Sequence, residues 1–426
     1  MKLKEKISFE EICGKTYKIR VIETADTGIA AFTHYLSNQN EELNFYKKLA
    51  IEHVRHALEY KYPDKRISDS IAESALQLLI FDMKKLAPFS EPDKSTFKFI
   101  DLFAGIGGFR LAMQSLGGKC VFTSEWDEQA KKTYHVNFGE VPFGDITKDE
   151  IKNCIPDNFD ILCAGFPCQA FSIAGRRAGF EDTRGTLFFD VAEILKRKKP
   201  KAFLLENVKG LRNHDQGKTL KIILSVLRDD LNYYVPNPQT LNAKDFGVPQ
   251  NRERIFIVGF RKDLGISDFS YPEPLNNQVC FRDIKETSTV SVKYYLSDRY
   301  LNTLKAHKKR HETKGNGFGY EIISDDGIAN AVVCGGMGRE RNLVYDNRLE
   351  DFTPITNIKG EVNRQGIRKM TPREWARLQG FPDSFKIPVA DASAYKQFGN
   401  SVAVPVVQAI AKRILDVLRR NNAING

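Results

Sequence analysis

What the chain lacks narrows its chemistry first. Cysteine is sparse: seven in 426 residues (positions 13, 120, 154, 163, 168, 280 and 334), scattered, odd in number and without a CxxC pair. That pattern excludes a disulfide framework and a cysteine-based zinc site, and no metal is expected. No apolar run approaches the roughly 18 residues that a membrane span requires. The opening Met-Lys-Leu-Lys-Glu-Lys has no signal-peptide core, so a cytoplasmic protein without membrane contact is expected. An acidic surplus is missing as well. Of the 64 Lys+Arg and 54 Asp+Glu, 15 of each fall in residues 1–94, and the remainder carries the whole net charge of +10. A basic excess confined to one part of a chain suits a polyanionic partner there.

What is present is an ordinary globular composition, 42% hydrophobic and 28% charged, with room for two or three domains. Residues 1–94 place apolar side chains at helical spacing over Glu41–Tyr60 (Leu43, Tyr46, Leu49, Ala50, Val54) and Ser68–Leu86 (Ile71, Ala75, Leu78, Leu79). Pro63 separates the two, and Pro88 to Pro92 reads as a linker. No chemistry is visible in this helical extension.

At Phe97 the texture changes. Phe97–Phe103 reads as a strand, Ala-Gly-Ile-Gly-Gly108 as a turn, and Phe109 onward as a helix, the unit by which doubly wound sheets approach a nucleotide. A second strand, Lys119–Ser124, ends at Glu125, 20 residues past Gly105, where a carboxylate accepts from ribose hydroxyls. A third strand end carries Asp145-Ile146. The three ends suit an adenosine moiety and do not separate a dinucleotide from S-adenosylmethionine.

The strand Phe159–Ala164 breaks at Gly165 into a loop with Pro167 and Cys168. Proline fixes its own φ and pushes Phe166 into an extended conformation, so the adjacent thiol is presented at a set angle. A buried, unreactive cysteine is the plain alternative to a nucleophile. Beyond it, Gly175, Gly179 and Gly185 punctuate a cationic stretch with Arg176, Arg177 and Arg184. The strand Lys201–Val208 ends in Glu206 and Asn207, facing the ligand crevice. Burial there raises a carboxyl pKa and lets it protonate a base nitrogen. Arg252 and Arg254 alternate at the entrance to the strand Ile255–Phe260, sharing one face fit to clamp a phosphate or carbonyl oxygen. From Arg261 to about Asn363 the βα rhythm is lost, and the segment reads as polar, turn-rich and basic. Within it Arg339 and Arg341 stand in a glycine-rich cluster from which guanidiniums reach guanine edges. A helix Met370–Gln379 capped by Thr371, the run Gln397-Phe-Gly-Asn-Ser401 and an amphipathic helix Val402–Leu418 close the chain.

Phe97–Gly108, Gly165–Ser172, Glu206–Val208, Gln250–Arg254 and Gln397–Val402 stand in the order and spacing of the DNA cytosine-5 methyltransferases, which residues 95–426 resemble. The segment 263–391 resembles the target-recognition region of restriction–modification enzymes, particularly the subgroup acting on CCGG. The resemblance implies an α/β, doubly wound Rossmann-like S-adenosylmethionine-dependent methyltransferase domain (95–262 plus 392–426). It also implies a smaller target-recognition domain and hinge (263–391), while the extension 1–94 matches no part of the pattern. The partner implied is duplex DNA, with a matching restriction endonuclease as a functional partner and a monomeric enzyme. By the same resemblance Cys168 adds to carbon 6 of a flipped cytosine, Glu206 holds ring nitrogen 3, Arg254 binds the ring carbonyl oxygen, and Arg252 contacts the DNA backbone or supports a loop. Phe103 and Gly105 pack on the cofactor, Glu125 takes the ribose hydroxyls, Trp126 stacks near adenine, and Asp145 with Ile146 reads it. Pro167, Asn400 and Val402 line the methionine end. Ser172 touches a phosphate beside Arg176 and Arg177, and Arg339 and Arg341 read bases. A tRNA cytosine-5 methyltransferase, a catalytically idle DNA-binding homologue and a nicotinamide dehydrogenase are the competing readings.

Overall fold

The computed structural model describes residues 5–12, 15–22, 26–37, 43–83, 87–92, 94–167, 187–275, 278–315, 319–335, 338–354 and 360–424. The chain opens with an antiparallel hairpin, β1 (Glu5–Ile12) and β2 (Lys15–Ile22). Three helices follow, α1 (Asp26–Ser37), α2 (Leu43–Lys61) and α3 (Asp69–Met83). The α/β part begins with β3 (Phe97–Leu102), α4 (Gly108–Gln114), β4 (Gly118–Ser124), α5 (Glu128–Phe138) and α6 (Asp149–Lys152). It continues through β5 (Ile161–Gly165), α7 (Leu187–Lys198), β6 (Ala202–Val208) and α8 (Lys218–Ser225). Next come β7 (Tyr233–Tyr234), β8 (Gln239–Asn242), β9 (Gln250–Asn251) and β10 (Glu253–Arg261). The later segment holds α9 (Asp298–Thr313), β11 (Ile322–Ile323), β12 (Ala329–Asn330), β13 (Leu343–Tyr345) and β14 (Ile367–Lys369). Helices α10 (Pro372–Leu378), α11 (Asp391–Asn400) and α12 (Val404–Arg420) complete it.

The main sheet has the order β4-β3-β5-β6-β10-β7, with β8 paired to β10. Strands β3 to β6 are parallel; β10 runs antiparallel to β6. Because β3 is flanked by β4 on one side and β5 on the other, the winding reverses there, and a crevice opens at the carboxyl ends of these strands. Both faces of the sheet are covered, which is why β3, β5 and β6 read as nearly unbroken apolar runs. Phe109 and Leu111 of α4 pack on one face with Val407, Ile414 and Leu418 of α12. Val191, Ile194 and Leu195 of α7 pack on the other.

The N-terminal helices are fused to that second core. Ala30, Tyr35, Leu36, Tyr46, Ala50 and Val54 belong to the same buried cluster as Val121, Phe122, Phe143 and Ile155. The Tyr46 hydroxyl lies 2.9 Å from the Val121 carbonyl oxygen and 3.1 Å from that of Cys154, sharing one proton between them. The Val141 amide donates to Thr33 Oγ1 at 2.9 Å. Glu140, fully buried, receives two hydrogen bonds from Arg110 of α4 and lies 3.5 Å from His34 of α1. Sequence periodicity located α2 and α3 to within three residues at each end. It missed α1, whose small and apolar residues show no clear helical spacing, and the hairpin, where apolar residues are interleaved with charged ones over eight-residue stretches.

Residues after Arg261 build a small second sheet, β11-β13-β14, covered by α9 through Leu301 and Leu304. Helix α9 is a further difference from the turn-rich reading of this segment. Its polar composition hid a helix that buries only a narrow stripe. Arg368 ties the segment together from inside, donating to both oxygens of Glu374 and to Asp346, while Glu374 and Thr371 form the capping box that starts α10.

Candidate active site

Glu206 is the third residue from the end of β6, between Gly165 of β5 and Phe256 of β10 in register. Arg254 sits two residues from Phe256 on the same strand face, so the two side chains meet diagonally across the antiparallel pair. Arg254 Nε lies 3.0 Å from Glu206 Oε1, and Arg254 Nη1 donates to its neighbour's carbonyl, Glu253 O, at 2.9 Å. Burial pushes the Glu206 carboxyl above the ordinary range, and the two guanidiniums of Arg254 and Arg252 oppose it. The result is a carboxyl that holds its proton more firmly than a free glutamate while already oriented by a cation.

Cys168, Ser172, Arg176 and Arg177 lie outside the described residues. The approach to Cys168 is described. Asn207, next to Glu206, donates from Nδ2 to the Phe166 carbonyl at 2.9 Å and accepts from the Val208 amide. The peptide before Pro167 is therefore pinned to the strand that carries Glu206. Sequence reading put Asn207 at the strand end without a role; a side-chain amide there is the signal that was available.

Arg252 is 2% exposed, and its guanidinium is directed inward. It donates to the carbonyls of Val332 (2.7 Å), Gly399 (3.0 Å) and Ser401 (2.7 Å), and so joins two segments far apart in the chain. The guanidinium is thus spent on the protein's own backbone. Gln250, unassigned from the sequence, accepts from the Val332 amide and donates to the Leu378 carbonyl. Gln379 donates to the Phe398 carbonyl, completing a polar lattice behind the site.

The crevice at the ends of β3 and β4 is shaped by its backbone. Phe103 takes φ +56°, a left-handed conformation unusual for a side chain of that size. At Gly105, φ +55°, an added Cβ would meet nothing within 4 Å, so the turn opens onto free space; at Gly107 it would run into the Phe138 ring. Glu125 Oε2 accepts from the Gly105 amide at 2.8 Å, while Oε1 accepts from the amides of Trp126 (2.9 Å) and Asp127 (2.7 Å). Three of about four lone-pair sites are thus engaged in holding the turn, which leaves one for a ribose hydroxyl. Trp126 is 75% exposed at the lip, an area of indole that a flat ring would cover. Asp145 accepts from the Thr147 amide and hydroxyl on Oδ1 alone, and Ile146 is buried beside it. Val402 packs over Gly108, where an added Cβ would run into its methyl group, and lies near Gly165. Asn400 Oδ1 accepts from the Cys334 thiol at 2.8 Å, an unforeseen contact with the segment that leads to the arginine cluster. A concave lip with a free carboxylate oxygen, an open glycine turn and an uncovered indole fits the adenosine end of S-adenosylmethionine.

Arg339 is exposed with its guanidinium carbon 5.5 Å from the Tyr395 ring centroid, and Arg341 is half-exposed, 3.6 Å from Glu321. Among the described residues no helix is long and apolar enough to cross a membrane.

Comparisons with known proteins agree with this arrangement. The family model for C-5 cytosine-specific DNA methylase matches residues 97–416. The chain is 71% identical over 349 residues to the type II methyltransferase M.HpaII of Haemophilus parainfluenzae, covering 82% of this chain and 96% of that one. It is 48% identical over 347 residues to the type II methyltransferase M1.ScrFI of Lactococcus lactis subsp. cremoris, covering 80% and 84%. Among solved structures, the S. pombe Dnmt2 methyltransferase aligns with a TM-score of 0.56 at 20% identity over 76% of this chain and 99% of its own, a likeness of fold. With its family model spanning the sheet, the crevice and the Glu206–Arg254 pair, the chain belongs to the C-5 cytosine-specific DNA methylases.

Proposed function

We propose that this enzyme methylates carbon 5 of a cytosine within a short duplex site, CCGG, through a transient bond from Cys168, and that residues 263–391 recognise the site. Carbon 5 is a poor nucleophile and the ring lies inside the helix, so the base is first rotated out at a cost of a few kcal/mol. The Cys168 thiolate adds to carbon 6; the ring electrons move to carbon 5 while Glu206 places a proton on, or shares one with, nitrogen 3. Arg254 binds the ring carbonyl oxygen and holds Glu206 in place. S-adenosylmethionine, held along Phe103, Gly105, Glu125, Trp126, Asp145 and Val402, supplies an electrophilic sulfonium methyl group. Carbon 5 takes that methyl as the sulfonium's sulfur–methyl bond breaks and the neutral thioether leaves; carbon 5 then loses its proton to a base, and the bond from carbon 6 to the Cys168 sulfur breaks to return the thiolate.

The observation that carries this reading is the pairing of Glu206 with Arg254 directly beside the pinned Phe166 carbonyl, one peptide from Pro167-Cys168. Within it Arg252 is a support, Asn400 and Pro167 lie at the methionine end, and Arg339 and Arg341 face the bases. A cytoplasmic monomer that shields DNA from a matching endonuclease is the corresponding biology. The test is a duplex carrying 5-fluorocytosine in CCGG, incubated with enzyme and methyl donor. A covalent complex that maps to residue 168 is expected. Full methyl transfer by Cys168→Ser, or no trapping while unmodified duplex is methylated, would overturn the covalent route.

A further inference from the structure

Helix α9 carries a charge pattern that neither the fold nor the chemistry above requires. Its inner face is apolar: Leu301 and Leu304 are buried against Leu343 and Ile367. Its solvent side exposes Arg299, Lys305, Lys309 and Arg310, with Lys314 just past the end. Several other surface cations of the same segment are matched, Arg282 with Asp326, Lys285 with Asp325, Lys293 with Asp391 and Arg377 with Asp383, and the exposed cations without an acid, such as Arg364 and Lys386, stand singly. Among the described residues none of those five on α9 has an acidic partner within ion-pair distance. Lys308, the one cation turned inward, lies 5.2 Å from the Tyr320 ring centroid.

Complementing the helix dipole does not account for this. That effect acts within the last turn and is satisfied by one or two cations, whereas Arg299 and Lys305 lie two or more turns earlier. Five unmatched cations on one face raise the domain's self-repulsion, a cost that an anionic partner relieves.

The placement of the helix indicates which anion. Its first turn rests on the arginine cluster: the Tyr300 hydroxyl donates to Glu340 at 3.1 Å, and Glu340 adjoins Arg339. From Tyr300 the axis runs about 20 Å to Lys314, at about 1.5 Å per residue. Duplex DNA carries a phosphate charge every ~1.7 Å of its axis, so a rod of this length leaving the recognition turn matches the backbone of several flanking base pairs.

We propose that the solvent side of α9 binds the phosphates of duplex DNA flanking the target site. The site is independent of sequence, and it adds affinity outside the bases that are read. It rests on the reading of the enzyme as a DNA methylase, and the experiment separates the two. The full-length protein and the variant Lys305→Ala/Lys309→Ala/Arg310→Ala/Lys314→Ala are titrated with duplexes of about 10 and about 30 base pairs over a range of salt concentrations, and turnover at saturating DNA is measured on both.

For the variant on the long duplex, affinity falls by about tenfold or more at ~0.1 M salt, and the slope of log K against log salt becomes shallower by about 2–4. Affinity for the short duplex, turnover at saturation and the choice of site stay as in the parent. A control, Arg282→Ala/Lys285→Ala, removes matched cations from the same domain and leaves the slope unchanged. Restoring charge with arginine at 305 and 309 restores part of the slope. An unchanged slope and length dependence in the variant would overturn the α9 proposal while leaving the methylase reading intact. Absence of methyl transfer by the parent on either duplex would overturn the methylase reading instead.

Discussion

Glu206 and Arg254 meet at 3.0 Å across antiparallel strands, and the arginine is the only cation in direct contact with that carboxylate among the described residues. The pair makes proton donation and orientation a single unit. Replacing Glu206 by Gln keeps the shape and removes the proton, so turnover should fall by about 10²–10⁴-fold while DNA affinity stays within a few-fold. Labelled methyl transfer and a binding titration on the same preparation decide this. A loss of binding that matches the loss of turnover would contradict the assignment.

The pH dependence follows from the direction of the shift. Burial raises the Glu206 pKa, so the protonated form persists above the ordinary carboxylate range and is lost as pH rises through the shifted value. Turnover at saturating substrates should decline on that alkaline limb. Arg254→Ala removes the opposing cation, so the limb should move to higher pH even as the maximum drops.

Arg252 predicts a stability effect. Its guanidinium serves the carbonyls of Val332, Gly399 and Ser401; shortening the side chain strands the first two as buried acceptors, while Ser401 keeps the donor Gln379. Arg252→Met should cost about 2–5 kcal/mol, on the order of 1–3 per stranded acceptor with partial relaxation. Urea unfolding measures it, and a change under about 0.5 kcal/mol would mean the clamp is dispensable.

Asp101 predicts a second pH effect, on stability rather than turnover. It is fully buried on β3 with neither carboxylate oxygen hydrogen-bonded, and burial first of all pushes its pKa up to about 8, with Arg110 opposing and Glu125 adding to it. A raised pKa in the folded state means that its contribution to stability is complete below the unfolded value near 4 and is lost as pH rises through about 8. Asp101→Asn, neutral at every pH, should melt close to the parent near pH ~4 and progressively above it as pH rises to ~9. Equal melting differences at both values would place the ionisation elsewhere.

The legible parts of the sequence were those where one short stretch encodes both an element and its chemistry. Phe97 to Gly108 announces strand, turn and helix because the glycines occur where only φ above zero closes the turn, and Glu206 is recognisable because a charged residue ends an otherwise apolar strand. Arg252 and Arg254 looked equivalent. Their separation into a buried clamp and a site residue depends on where Val332, Gly399 and Ser401 arrive, which no local pattern reveals. Helix α9 was hidden for a related reason: with only Leu301 and Leu304 facing inward, its period is too weakly marked. The docking of α1 and α2 depends on Tyr46 finding carbonyls 75 and 108 residues away.

The clamp at Arg252 also has a mechanical implication. A guanidinium that grips Val332 on one side and Gly399 and Ser401 on the other fixes these two segments to a common post. Any widening of the gap through which a double helix enters must then swing about this post, as a door does about its pin.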